Sequence, residues 1–166
     1  MKLGAGVEQA IHCVTLLASL PEEGVLPASA LAEFHGVSSS YLLKQLQALS
    51  GAGILASVPG PSGGYRLARA TREISLLDIV LAIEGPEPAF RCENIRVRGP
   101  NPVSTKPKGL CQINAAMLRA EQAYRQELAQ VSIADLGAQV AAKDQDGRIA
   151  ARNCGFVDLH LRRPAG

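Results

Sequence analysis

Glu8 and His12 stand four residues apart near the start of the chain. On a helix that spacing puts a carboxylate and an imidazole on one face, within reach of one metal centre; a surface hydrogen-bonded pair uses the same spacing. Cys92 and Cys111 add two thiols, with eighteen residues between them. They lack the short spacing of a zinc knuckle and read also as buried or free thiols. Cys13 and Cys154 complete the cysteines, and Cys13, one step from His12, is expected to pack inward without a ligand role. No nucleophile–base constellation, Walker-type phosphate loop or close carboxylate pair is visible, so an enzyme is not expected.

A second set of residues is suited to phosphates. Ser38-Ser39-Ser40 opens a helical stretch that closes at Gly51-Ala52-Gly53, and Leu42, Leu46 and Leu49 repeat at helical spacing. Those leucines face a core, which leaves Ser39, Ser40, Tyr41, Lys44 and Gln45 as the expected DNA-facing side chains. Ile54 to Val58 and Tyr65 to Leu67 then flank Pro59-Gly60-Pro61-Ser62-Gly63-Gly64, the pattern of a hairpin. Arg66 and the Ser62-Gly63-Gly64 turn are expected to form a wing, its glycines allowing close backbone approach to phosphate or the minor groove. From Phe34 through Arg72 there is no Asp or Glu, while Lys44, Arg66, Arg69 and Arg72 fall inside. A surface that displaces counterions from DNA should exclude carboxylates in this way. Local clustering has to carry the affinity, because 17 basic against 15 acidic residues give a net charge of only +2. The absence of Trp, with three Tyr and three Phe, argues against single-strand binding on stacked aromatics.

The elements that must position these groups follow from periodicity. A first helix is expected from about Gly6 to Leu20; Glu8, Gln9 and His12 interrupt its apolar run, which is therefore not a secretory signal. Ala28 to Phe34 forms a second helix, and Gly36-Val37-Ser38 turns the chain into the recognition helix. Ile74-Ser75-Leu76-Leu77-Asp78 is a capping signal for a helix that ends near Glu84. A long loop carries Cys92 and the cations Arg91, Arg96, Arg98, Lys106 and Lys108. It leads to a long amphipathic helix, Gln112 to Gln130, read as a dimerisation element, and then to a short helix ending near Ala142. The fold class is mainly α with a small β-hairpin wing. Residues 1–86 form a winged helix-turn-helix, 87–111 a ligand-bearing loop, 112–142 the dimerisation helix and its successor, and 143–166 a flexible arm. No stretch is long enough to span a membrane, and a cytoplasmic location is expected. His35 closes the second helix, as a helix C-terminal cation or as a relay; His160 is assigned no role.

With these residues in place, the chain resembles the iron–sulfur-sensing winged-helix regulators typified by IscR, NsrR and RsrR, over residues 1 to about 142. The resemblance rests on Met1-Lys2-Leu3, Val37-Ser38-Ser39-Ser40-Tyr41-Leu42, Gly63-Gly64-Tyr65-Arg66-Leu67 and the run from Ile74 to Gly85. It implies a homodimer that binds double-stranded operator DNA as a repressor, with no membrane or small-molecule substrate. The three clustered loop cysteines of many members are missing. The RsrR branch is the better match, and it implies a 2Fe–2S cluster across the dimer interface. Cys92 and Cys111 of one subunit would ligate it with Glu8 and His12 of the other. That branch has a tryptophan after the glutamate where this chain has Gln9, so Gln9 and His35 become the candidates for a relay to the reading head. Zinc in the same site, a Cys92–Cys111 thiol switch and a cofactor-free interaction module remain the alternatives.

Overall fold

The computed structural model describes residues 3–102 and 111–163. Met1, Lys2, Lys106 and Lys108 lie outside the described residues.

The frame is three helices: α1 (Ala5–Leu17), α2 (Ala28–His35) and α3 (Ser39–Gly51). α1 ends one turn earlier than its apolar pattern predicts. The Ser19 hydroxyl donates to the Leu16 carbonyl at 2.7 Å, a local bond that competes with the helix ladder, and Pro21 follows. Leu31 from α2 and Leu42, Leu46 and Leu49 from α3 meet Ala10, Cys13 and Val14 of α1 in one core, each fully buried. Burial of this kind stabilises by roughly 1.5–3 kcal/mol per large aliphatic side chain.

The hairpin follows directly. β1 (Leu55–Val58) pairs antiparallel with β2 (Gly64–Leu67), Leu55 opposite Leu67 and Val58 opposite Gly64. The outer edge of β2 is not left open. Leu26 exchanges two backbone bonds with Tyr65, at 3.1 and 2.8 Å, and Val25 exchanges two with Arg162, both 3.0 Å. Consecutive residues of an extended segment bond to opposite sides, so Val25-Leu26 stitches the C-terminal segment to the hairpin.

α4 (Leu76–Glu84) and α6 (Ile133–Lys143) both start with a capping box, Ser75 with Asp78 and Ser132 with Asp135. The two caps are joined: Leu76 N–H donates to the Val131 carbonyl and Ile133 N–H to the Ile74 carbonyl, each at 2.9 Å. This clasp returns the chain to the core at Ile133 and lets the intervening α5 (Gln112–Gln130) lie against α4.

The tail departs from expectation. Instead of a flexible arm from residue 143, the chain forms α7 (Arg148–His160). The Asp144 carboxylate accepts N–H bonds from Ile149 at 3.0 Å and Ala150 at 2.8 Å, closing the start of that helix. Val157 is buried, and the Phe156 ring meets Phe34 edge-on at 4.9 Å. The sequence shows no stripe there because so few positions make contact; Leu159 is 82% exposed. Among the described residues, no helix is long and apolar enough to cross a membrane.

Candidate functional site

The recognition helix presents Ser39, Ser40, Tyr41 and Lys44 to solvent, and the Ser38 and Ser40 hydroxyls bond each other at 3.0 Å. Gln45 does not join them. It is 8% exposed, on the inward face with Leu42, Leu46 and Leu49. Its amide lies against Gly6 of α1, where an added Cβ would come within 2.9 Å of Nε2. The expectation that Gln45 faces DNA is therefore corrected. Position 45 is three residues after Leu42, on the core side of a 3.6-residue period, and its polarity alone suggested the outside.

In the wing, Arg66 Nη1 donates to Glu23 Oε2 at 2.9 Å. The stretch without carboxylates in sequence thus acquires one in space, from the loop after α1. The pair is open to water, with the Glu23 side chain 75% exposed, so a phosphate competes with it readily. Gly63 and Gly64 have a packing reason to be glycine. A Cβ at Gly63 would overlap the Val58 carbonyl oxygen, and one at Gly64 would overlap the Leu26 backbone. Ser62 is exposed at the turn. The turn also holds a residue that sequence reasoning missed. Arg162 Nη1 donates to the Pro61 carbonyl at 2.9 Å and, less closely, to that of Gly63 at 3.4 Å.

Cys92 and Cys111 come together although eighteen residues separate them in sequence. Cys111 is the N-cap of α5. The backbone N–H groups of Asn114 and then Ile113 hold its thiol below the ordinary thiol range, with smaller help from Arg96 and from the neighbouring Cys92. Unpaired N–H groups and the positive end of a helix favour a thiolate in this way. By contrast, Cys13 is buried in the core and pushed up to about 12 by desolvation, which makes it an inert thiol.

Glu8 and His12 are exposed on α1. Among the described residues of one chain, no three His, Cys, Asp or Glu side chains cluster closely enough to hold a metal ion. The four candidate ligands therefore form two pairs, not one site, within a single copy. Behind Glu8 and His12 opens a cleft of about 600 Å³ that Gln9, His35 and the α7 residues Arg152 and Asn153 also line. Gln9 Oε1 and His35 Nε2 are buried there without a protein partner. The His35 ring lies 5.8 Å from that of His12 and 4.9 Å from that of Phe34, and the Arg152 guanidinium covers the Phe34 ring at 4.3 Å. Burial, then His12, then Arg152 hold the His35 pKa below its usual value, which disfavours the helix C-terminal cation anticipated for it.

α5 is the third component. None of its residues is buried, and Ile113 and Met117 are 67% and 44% exposed. The sequence profile of the Rrf2 family, described as an iron-dependent transcriptional regulator, matches residues 3–139. The chain belongs to the Rrf2 family. It is 35% identical over 158 residues to YffB of Lactococcus lactis subsp. lactis (strain IL1403), covering 95% of this chain and 96% of that one. YffB is assigned by its name to the HTH-type transcriptional regulators, as is YwgB of Bacillus subtilis (strain 168), 39% identical over 85 residues, 51% of this chain and 54% of that one. Among solved structures, T. potens IscR superposes with a TM-score of 0.65 at 25% identity, over 87% of this chain and 91% of that chain. CymR, the global cysteine regulator of B. subtilis, superposes at 0.62 with 23% identity, over 84% and 98%, a likeness of fold. This Rrf2 regulator is a DNA-binding transcription factor with a winged helix, and its relatives are named as regulators, not enzymes.

Proposed function

We propose that the chain is a homodimeric, redox-responsive repressor. A 2Fe–2S cluster would be held by Cys92 and Cys111 of one subunit with Glu8 and His12 of the other. The observation that carries this reading is the pairing of ligands. A thiol pair at the N-terminus of α5, with Cys92 exposed and Cys111 half-buried, and an exposed carboxylate–imidazole pair on α1 lie on the surface, and neither pair suffices alone. The donor types fit such a group: Cys111 is biased toward thiolate, and Glu8 and His12 share a helix face. The family's description as iron-dependent supports a metal here. When bound, such a cluster supplies a one-electron couple, its potential raised by imidazole in place of thiolate.

α5 leaves Ile113 and Met117 uncovered, and a second copy covers them while bringing Cys92 and Cys111 toward the partner's α1. Glu8 and His12 sit on the outer face of the helix whose Gly6 touches the Gln45 amide of the recognition helix. A tilt of α1 against α3 is thereby felt at Ser39, Ser40, Tyr41 and Lys44 without an aromatic at position 9. Paired reading heads turn a small change in subunit orientation into a change in half-site spacing, to which operator affinity is sensitive.

The test is the visible spectrum with iron and sulfide content of protein purified without oxygen, followed by EPR after one-electron reduction. A coloured protein with equal iron and sulfide, a reduced-state signal, and loss of both in Cys92→Ala and Glu8→Ala supports the reading. A colourless protein with stoichiometric zinc overturns it. One feature favours a second reading, the nearness of Cys92 to Cys111: two-electron oxidation would join the sulfurs and release two protons. Mass spectrometry of air-oxidised protein distinguishes that switch by the loss of two hydrogens.

A further inference from the structure

We infer that Arg162 is the phosphate-binding cation of the wing, carried to the hairpin turn by the segment that follows α7. The proposal rests on reading the hairpin as the wing that meets DNA. The turn from Pro59 to Gly64 contains no charged residue, and Arg66, in the strand beyond it, has first to release Glu23 before it meets a phosphate. Arg162 is nearly a hundred positions away in sequence, yet its backbone pairs with Val25, itself next to the Leu26 that pairs with Tyr65 of β2. Its side chain then reaches the turn, where Nη1 donates to the carbonyls of Pro61 and Gly63.

Two anchors fix this guanidinium, a pair of backbone bonds behind it and two carbonyls at one nitrogen. A guanidinium carries five N–H donors in a rigid fork, so Nε and Nη2 remain for an outside acceptor. Among the described residues no carboxylate pairs with Arg162. A fixed, half-exposed guanidinium on a turn of a DNA-binding hairpin matches a phosphodiester oxygen, and its order before binding lowers the entropic cost of contact. Phosphate contacts position a protein without reading bases, so the contribution is the same on any duplex. Arg163, exposed beside it, adds charge without the anchoring. On this view α7 has a purpose in DNA binding: its docking through Phe156 and Val157 places residue 162.

The experiment titrates full-length protein against two duplexes over a range of potassium chloride, one selected from random sequence by the wild-type protein and one its scrambled counterpart. Arg162→Gln keeps an amide donor for the turn carbonyls and removes the charge. It should weaken binding to both duplexes roughly three- to tenfold and reduce the slope of log affinity against log salt by about one. Arg162→Lys keeps the charge and should keep the wild-type slope, an outcome that a purely structural role for the side chain would not produce. A wild-type slope in Arg162→Gln, or a reduced slope in Arg162→Lys, overturns the proposal. Lys44→Gln separates this failure from that of the underlying reading. If it lowers the slope while Arg162→Gln does not, only the C-terminal clamp is refuted; if selection from random sequence yields no duplex that the wild-type protein binds, the assignment of the hairpin fails as well.

Discussion

The helices of the reading head bury Leu31, Leu42, Leu46, Leu49 and Ile79 completely, whereas α5, the longest helix among the described residues, buries none of its side chains. The first region satisfies its apolar face within one copy of the chain. The second leaves Ile113 and Met117 open and holds an activated thiol at its N-terminus. On the proposed function, stability and response are assigned to different parts of the molecule. The head folds through its own core, whereas α5 leaves its apolar face uncovered in one copy.

The largest effect that this contrast predicts follows a charge on the open face. Met117→Glu should convert the proposed dimer to a monomer in sedimentation, with operator affinity down about 10²- to 10⁴-fold as two linked half-sites become one. A dimer that survives the change would mean that α5 is not the interface. Next in size is a paired truncation read by urea unfolding. Leu46→Ala in the head should cost about 2–5 kcal/mol, and Leu128→Ala in α5, in the monomeric background, about 1 kcal/mol or less. Equal costs would erase the distinction between the two regions.

Reactivity sharpens the same comparison. Iodoacetamide should modify Cys111 in the folded protein near neutral pH, the rate falling as pH drops through its lowered pKa. Cys13, at about 12, should react only after unfolding. Peptide mapping that finds Cys13 labelled first would contradict the assignment. The smallest effect concerns α7. The backbone N–H groups of Ala150 and Ile149 hold the Asp144 carboxyl below its usual range, so its contribution to stability is complete above the unfolded carboxylate pKa. That contribution is lost as pH falls through the folded value. Amide exchange should therefore show α7 loosening in acid before α3 does, and Asp144→Asn should flatten that difference.

Much of the head was legible because local signals agree there. The serine cluster, the Leu42-Leu46-Leu49 period, the turn residues at Pro59 to Gly64 and the acid three residues after Ser75 each specify their own element within a few positions. The inward turn of Gln45 was also legible in principle, since it shares the leucines' face, but its polarity outweighed its phase. Contacts between distant segments were not legible. Nothing local shows that Glu23 reaches Arg66, that Arg162 reaches the wing, or that Cys92 lies beside Cys111. Such pairings come from the tertiary path of the chain, here set by the Val25–Arg162 bridge and the clasp between the Ser75 and Ser132 caps. α7 escaped notice because a helix held by Phe156, Val157 and little else leaves almost no periodic trace.

The proposed cluster makes each ligand pair depend on the other subunit, and a mixed dimer tests that dependence most directly. One subunit would carry Glu8→Ala with His12→Ala, its partner Cys92→Ala with Cys111→Ala, each variant being colourless as a homodimer. The account predicts that the purified heterodimer, reconstituted with iron and sulfide, regains about half the wild-type chromophore per dimer, because one complete set of donors is restored across the interface. A heterodimer that stays colourless while the wild-type protein is coloured would place all the ligands within one chain or on other residues, and would contradict the account.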